Sequence, residues 1–436
     1  MPVKPQTYRG MRDHLPRAMI LRQFIIDTLT RVFELHGFEP LSTPIIEYAE
    51  TLEGKIGDEE KLLFRFQDHG GREVALRYDQ TVPLARVVAQ YPNEIVLPFK
   101  RYAIGPSYRG ERPQRGRYRE FWQADIDIVG SASPLADAEI IAVISEALTA
   151  LGFKGFRTLI NHRDLLSGLA RVAGVDEEQA AGIYRAIDKL DKIGPEGVRE
   201  ELLKYGLAAD SVERILEFVQ IEGAPDEVLA ELAPIFAGDT RAAAALENLR
   251  AITSTLEEMG VDPATYVLAP RLARGLSYYT GAVFETVVDE PPMGSLLGGG
   301  RYDELIGLFS NRPLPTVGLA FGIERLHDVM EELGMGPGRS TVADAYVTLF
   351  SPELIGESLK LAAELRAAGV RTLTALEPGG LGKQFKEADR KGVPFALVLG
   401  PDELARGEIQ LKNLRTGEQR SLPRSEAIAE LAGQQA

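Results

Sequence analysis

Two strand-like runs joined by a loop crowded with arginine constrain this chain more than any other feature. The first run covers residues 95–108 and the second 118–129, with Arg109-Gly-Glu-Arg-Pro-Gln-Arg-Gly116 between them. This pattern predicts a long hairpin. Alternate residues of a strand share a face. On the second run Trp122, Ala124, Ile126 and Ile128 form an apolar face suited to packing on helices. The opposite face holds Arg119, Phe121, Gln123, Asp125 and Asp127. Arginine, amide and carboxylates on one face, with apolar residues on the other, read as the floor of a site. At ~3.3 Å per residue Gln123 and Asp127 stand ~13 Å apart, a span that suits two ends of a small zwitterionic ligand. Arg109 and Glu111 enter from the loop. Arginine against phosphate, with a carboxylate accepting an exocyclic amine, is one way to bind ATP without a phosphate loop. An exposed sheet face with ordinary cross-strand pairs fits the same pattern.

The charge distribution sharpens the choice. The chain of 436 residues carries a net −15. Residues 171–260 hold 19 acidic and 9 basic side chains, whereas residues 100–120 hold seven basic against two acidic. The loop is therefore a basic island in an acidic protein, and that distribution says more about partners than the sum does. There is no cysteine, which excludes disulfides, thiol catalysis and iron–sulfur clusters. The five histidines never fall three to five apart, so no local histidine pair for zinc exists. No apolar run is long enough to span a membrane, and the first 15 residues lack the apolar core of a signal peptide. Gly382-Lys383 lacks the rest of a phosphate loop. The stretch 105–110 misses the nucleophile-elbow spacing by one residue.

Apolar periodicity predicts a helix over 20–35 ended by Gly37, strands over 62–67 and 74–78, and a helix capped by Thr81. Residues 135–152 read as helix and 156–161 as strand. Residues 164–260 read as an acidic, wholly helical block that interrupts an α/β pattern, hence an inserted domain. Strands follow at 266–268 and 283–288, then a glycine-rich piece at 294–300, a strand at 317–322 and a helix at 323–333. Residues 334–338 have linker composition. Beyond them strand and helix alternate and end in a hairpin, a compact α/β unit. Its 12 basic and 13 acidic residues nearly cancel.

Phe99 to Gln123, with an arginine at the end of one strand, a variable loop and a second strand carrying Phe121-Trp-Gln123, resembles the second signature of class II aminoacyl-tRNA synthetases. More narrowly it is similar to the histidyl-tRNA synthetase family. Val317-Gly-Leu-Ala-Phe-Gly-Ile-Glu-Arg325 resembles the third class signature, and Gly37-Phe-Glu-Pro-Leu-Ser-Thr-Pro-Ile-Ile46 the first. Leu272-Ala-Arg-Gly-Leu-Ser-Tyr-Tyr-Thr-Gly-Ala-Val-Phe-Glu285 and Gly298-Gly-Gly-Arg-Tyr-Asp-Glu-Leu305 resemble two histidine-specific stretches. Ser277 stands where the family often has aspartate, and Asp79 and Asp127 where bacterial members often have glutamate.

The resemblance implies an α+β fold: an antiparallel-sheet catalytic domain in two parts, 1–163 and 261–333, around an inserted helical domain, 164–260. A linker, 334–342, would lead to an α/β anticodon-binding domain, 343–436. It implies a cytoplasmic homodimer that joins L-histidine to its tRNA through histidyl-adenylate, with ATP as substrate and Mg2+ accompanying it. Arg109 would bind the α-phosphate, Glu111 the adenine amine, Arg117 the outer phosphates and Arg325 the γ-phosphate. Arg274 would bridge the histidine carboxylate and α-phosphate. Asp79, Thr81 and Gln123 would hold the substrate amino group. Asp127 and Tyr279 would read the imidazole, with Tyr278 lining its pocket. A second reading is a catalytically silent, histidine-binding regulatory subunit of ATP phosphoribosyltransferase, which typically lacks the C-terminal domain.

Overall fold

The computed structural model describes every residue except 1–2, 55–56, 176, 274–278, 292, 311 and 434–436. By contact the chain divides into two compact units: Met1–Asp13 with Phe24–Gly336, and His14–Gln23 with Pro337–Ala436.

The strands of the first unit are β1 (Glu39–Pro40), β2 (Ile46–Tyr48), β3 (Arg65–Gln67), β4 (Glu73–Leu76), β5 (Phe99–Tyr108), β6 (Glu120–Val129), β7 (Phe156–His162), β8 (Tyr266–Leu268), β9 (Ala282–Val288), β10 (Ser295–Arg301) and β11 (Thr316–Gly322). Eight of them form one sheet in the order β1-β5-β6-β11-β10-β9-β7-β8. Its interior pairs are antiparallel, while β1–β5 and β7–β8 at the two edges are parallel. The remaining three make a small antiparallel sheet, β2-β4-β3.

The predicted hairpin is β5 and β6, and it is shorter than its sequence pattern. Pro98, with no backbone N–H to give a ladder, precedes β5. At the other end the Arg119 N–H donates to the Gly10 carbonyl, 2.8 Å, and the ladder of β6 begins at Glu120. Most of the apolar face of β6 is buried as expected, with Ala124 and Ile126 fully enclosed and Ile128 nearly so, whereas Trp122 is half-buried and borders a cavity. The helix Pro134–Ala150 is started by Ser133, whose hydroxyl accepts from the Leu135 N–H at 3.2 Å, with Pro134 in the first turn. It buries Ile140, Ile141, Ile144 and Leu148.

Among the described residues the acidic block is helical between Arg163 and Glu258, and its segment Leu190–Lys204 is kinked at Gly194. It leaves from β7 and returns to β8, and these two strands are neighbours. A long insertion can therefore sit there without interrupting the ladder of the sheet. By contact the block belongs to the same unit as the sheet.

One local expectation needs correction, and one segment left open is now placed. Thr81 does not cap the helix Thr81–Gln90; the Asp79 carboxylate does, accepting from the N–H groups of Thr81 (3.1 Å) and Val82 (3.0 Å). The glycine-rich piece at 294–300, given no element from sequence, is β10 from Ser295 on, near the middle of the sheet.

The second unit holds β12 (Ala345–Val347), β13 (Thr372–Thr374), β14 (Phe395–Val398), β15 (Glu408–Asn413) and β16 (Gln419–Pro423) in the order β13-β12-β14-β15-β16. Leu361, Leu365, Val370, Leu397, Ile409 and Leu411 form its core. The alternation of strand and helix is as expected. The helices Pro401–Arg406 and Arg424–Gly433 are additional. The first is too short for an apolar period to show.

Candidate active site

The site begins with the side-chain sequence of three adjacent strands. Along β6, Gln123, Asp125 and Asp127 share a face. Their partners on β5 are Gly105, Ala103 and Arg101, and on β11 they are Gly322, Ala320 and Gly318. A row of polar side chains is thus flanked by residues that are small, or in one case cationic. That flanking leaves room above the middle of the sheet.

Asp127 is buried and ion-paired with Arg101, whose Nη2 lies 2.6 Å from its Oδ2. The Tyr302 hydroxyl donates to its other oxygen. Burial raises the Asp127 carboxyl above the ordinary carboxylate value, while Arg101 and then Tyr302 pull it back. Asp125 is driven well above that value, again by burial first, with Arg101 opposing. Neither Arg101 nor Gln80 was singled out from sequence for a role in the site. Gln80 donates from Nε2 to the carbonyls of Ala103 (3.2 Å) and Gln123 (3.1 Å), lying across the two strands. Alternation along 101, 103 and 105 is the signal that could have marked Arg101; nothing local marks Gln80.

A cavity of about 300 Å³ opens beside this row. Arg109, Glu111 and Arg117 from the loop, Gln123 from β6 and Arg325 from the helix Ile323–Glu332 all contribute to its lining. The Arg109 guanidinium lies between two rings, 4.1 Å from the centroid of Tyr78 and 4.9 Å from that of Phe121. Stacking of this kind fixes a cation without neutralising it. Arg117 stands 3.7 Å from Glu111 across the loop. Arg325 donates from Nε to the Gly116 carbonyl (3.2 Å) and from Nη1 to that of Ser295. Glu324, beside it, accepts from the Trp122 N–H at 2.8 Å and so joins the helix to β6. The Gln123 Oε1 is buried and has no hydrogen-bond partner among the described residues.

The other sequence-predicted residues lie as follows. Asp79 spends one oxygen on the helix cap; burial raises its carboxyl, opposed by the Val82 N–H, Arg109 and the Thr81 N–H. Thr81 is half-buried in the first turn of that helix. Tyr279 packs against Leu159, Ala269, Leu272 and Val283 and lies over Gly300, where a Cβ would come within 3.0 Å of its ring. Arg274 and Tyr278 fall outside the described residues. Arg119, expected on the polar face of β6, turns away instead and donates from Nε to the Glu111 carbonyl, 3.1 Å.

The three glycines of β10 have three different surroundings. Gly298 lines the cavity. At Gly299 a Cβ would collide with the backbone of Gly318 and Leu319, and at Gly300 it would meet the Ala282 carbonyl as well as Tyr279. Among the described residues no three acidic or histidine side chains gather as a metal site. No described helix is long and apolar enough to cross a membrane.

Comparison with known proteins fits this geometry. The family model described as histidyl-tRNA synthetase matches residues 10–326, and the model of the anticodon-binding domain matches residues 344–434. The histidine–tRNA ligase of Aeropyrum pernix is 44% identical over 434 residues, covering 98% of this chain and 97% of that protein. That of Wolinella succinogenes is 42% identical, covering 98% of each. The crystal structure of histidyl-tRNA synthetase from a Nostoc species superposes with a TM-score of 0.91 at 32% identity, over 99% of this chain and all of that one.

Proposed function

The chain belongs to the histidyl-tRNA synthetase family and is a histidine–tRNA ligase, and on that premise we propose which of its residues carry the reaction. The substrates are ATP, L-histidine and the histidine tRNA. A histidine carboxylate oxygen attacks the α-phosphorus in line, pyrophosphate leaves, and the tRNA 3′-terminal hydroxyl then takes the histidyl group from AMP. The reading rests chiefly on one observation: a single cavity draws cationic groups from the loop and from the helix Ile323–Glu332 around Gln123.

Arg109 is assigned the α-phosphate, Glu111 the adenine amine, and Arg117 and Arg325 the outer phosphates. Arginine forks already held by rings and carbonyls meet the growing phosphate charge without having to reorganise. Gln123, with a spare buried acceptor, suits the substrate ammonium, together with Asp79 and Thr81. Asp127 and Tyr279 are assigned the imidazole, Tyr278 the wall of its pocket, and Arg274 the bridge between the histidine carboxylate and the α-phosphate. The described residues offer no dedicated metal ligand set. Magnesium is assigned as the companion of the ATP phosphates, where it would neutralise part of their charge.

We also propose a homodimer. Ile46, Tyr48 and Tyr91 are exposed apolar residues lining a groove along the proline-framed segment after β1, and Ile45 beside them is exposed too. Sedimentation that finds a monomer at micromolar concentration would contradict this.

The test of function is ATP–pyrophosphate exchange by the purified protein, with histidine and without tRNA. Exchange is expected, followed by charging when tRNA is added. Histidine binding without exchange would favour the regulatory reading. Arg274→Ala should lower exchange ~10²–10³-fold with the fold retained, the usual cost of one transition-state donor. A variant within a few-fold of the parent would remove Arg274 from the mechanism.

A further inference from the structure

The arginine-rich loop faces a physical difficulty. Its basic side chains repel one another, so an unsupported loop would spread into solvent and lose the geometry assigned to Arg109, Glu111 and Arg117. Support comes from the beginning of the chain, more than 90 residues away in sequence.

Residues 8–11 make a tight turn in which the Met11 N–H donates to the Tyr8 carbonyl, 3.0 Å, with Gly10 at φ +90°. This turn lies against the loop. The Gly10 carbonyl takes the Arg119 N–H, and the Arg119 Nη1 donates to the Tyr8 hydroxyl (3.1 Å) and the Arg9 carbonyl (3.2 Å). Since Arg119 Nε also holds the Glu111 carbonyl, one side chain ties the turn to both ends of the loop. A Cβ on Gly10 would stand 2.7 Å from Pro113 Cγ and 2.9 Å from Arg119 Cδ. The turn is that closely applied.

Two residues on, Arg12 makes a second tie. Its guanidinium lies 3.6 Å from the centroid of the Tyr118 ring. Nη1 donates to the Tyr118 hydroxyl (2.9 Å) and to Asp328 Oδ1 (3.1 Å), and the Tyr118 hydroxyl donates to Asp328 Oδ2 (3.0 Å). Asp328 lies three residues after Arg325 on one helix, hence on the same face. Tyr118 directly follows Arg117. Arg12 therefore clamps the loop residue beside one assigned phosphate ligand to the helix that carries another. The Arg325 bond to the Gly116 carbonyl closes the same circuit from the helix side.

From this arrangement we propose that residues 8–12 belong to the adenylation machinery, with Arg12 a positioning residue that sets the arginine loop and the Arg325 helix in register for ATP. The proposal rests on the adenylation reading above. Arg12 acts through Tyr118 and Asp328, so its removal loosens the ATP end of the pocket. The histidine end, built on β6 and its neighbours, keeps its own ties.

The experiment is pyrophosphate exchange by the full-length parent, Arg12→Ala and Arg12→Lys, with ATP and histidine varied separately and melting temperature recorded. Exchange by the parent tests the adenylation reading by itself, so the two failures are distinct. Arg12→Ala should raise the KM for ATP by ~10-fold or more, the scale of one lost charged hydrogen bond, and leave that for histidine within about twofold. Arg12→Lys keeps a charge beside Asp328 but loses the planar fork, and should fall between. Trypsin should also nick Arg12→Ala sooner at Arg115 or Arg117. Parental KM values despite a lowered melting temperature would overturn the proposal, as would an equal rise for both substrates. Should Arg12→Ala not fold, Tyr118→Phe, which removes a single hydroxyl, decides by the same criterion.

Discussion

Asp127 and Gly318 face each other across neighbouring strands, and the carboxylate occupies the space that a side chain at 318 would need. The glycine is thus a condition of the acid. Arg101 meets Asp127 from the opposite strand, so three residues on β5, β6 and β11 form one unit.

Gly318→Ala should push Asp127 off Arg101 and Tyr302. Overpacking of this kind costs ~1–3 kcal/mol. The KM for histidine should rise more than that for ATP, since Arg109 and Arg325 are untouched. Denaturant unfolding and exchange kinetics with each substrate check both points. An unchanged KM for histidine would detach Asp127 from the imidazole.

Arg101→Met should leave two buried carboxylates facing each other without their nearest cation. Breaking a buried pair from one side typically costs ~3–5 kcal/mol. Adding Asp127→Asn should recover part of that loss. Urea titrations of the single and double variants measure the recovery; strict additivity would mean that the pair is not coupled.

His162 begins the helix Arg163–Val172 by accepting the Asp164 N–H on Nδ1, at 3.1 Å, which a protonated ring cannot do. Burial pushes its pKa down to about 4 from 6.5, with Asp164 partly opposing. Between those values the unfolded chain takes up a proton that the folded chain refuses. Stability is then whole above pH 6.5 and falls as pH drops toward 4, by about 3 kcal/mol. His162→Asn, which keeps a capping oxygen, should flatten that slope in melts recorded across the range.

His36 should act in the opposite sense. Its pKa is raised, first by Glu139 and also by Glu146, whose carboxylate lies 2.8 Å from Nε2. The ion pairs are fully present below pH 6.5 and are lost as pH rises through the raised value. The contribution is small, under ~1 kcal/mol for a partly exposed pair. His36→Gln should be less stable than the parent at pH 6 and closer to it at pH 9.

Most of the fold was legible because it rests on local periods. Alternation located β5 and β6, and the helical block announced itself through helical spacing between glycine and proline breaks, and through acidity. The cavity residues Arg109, Glu111, Arg117, Gln123 and Arg325 stood in recognisable strings. What was hidden depends on contacts between distant segments. The partner of Asp127 is decided by register, which no single strand reveals. Arg119 was placed on the wrong side because its turn toward Tyr8 and Arg9 requires knowing where the chain begins. Three glycines in a row showed no strand period, since the crowding that demands them comes from β9, β11 and Tyr279.

That run of glycines has a consequence for how the protein holds together. An ordinary sheet is covered by its own side chains, but at Gly298 the covering layer is missing and the cavity stands in its place. On the assignment proposed above, the substrates would be the last pieces of the interior, brought from outside. A protein so built is at its loosest when empty and tightens as it is filled. Saturation at a hundred times the dissociation constant adds about 2.7 kcal/mol to the stability of the filled form. On that assignment the melting temperature is expected to rise as histidine and ATP are added, and a melt unmoved by either would place them elsewhere.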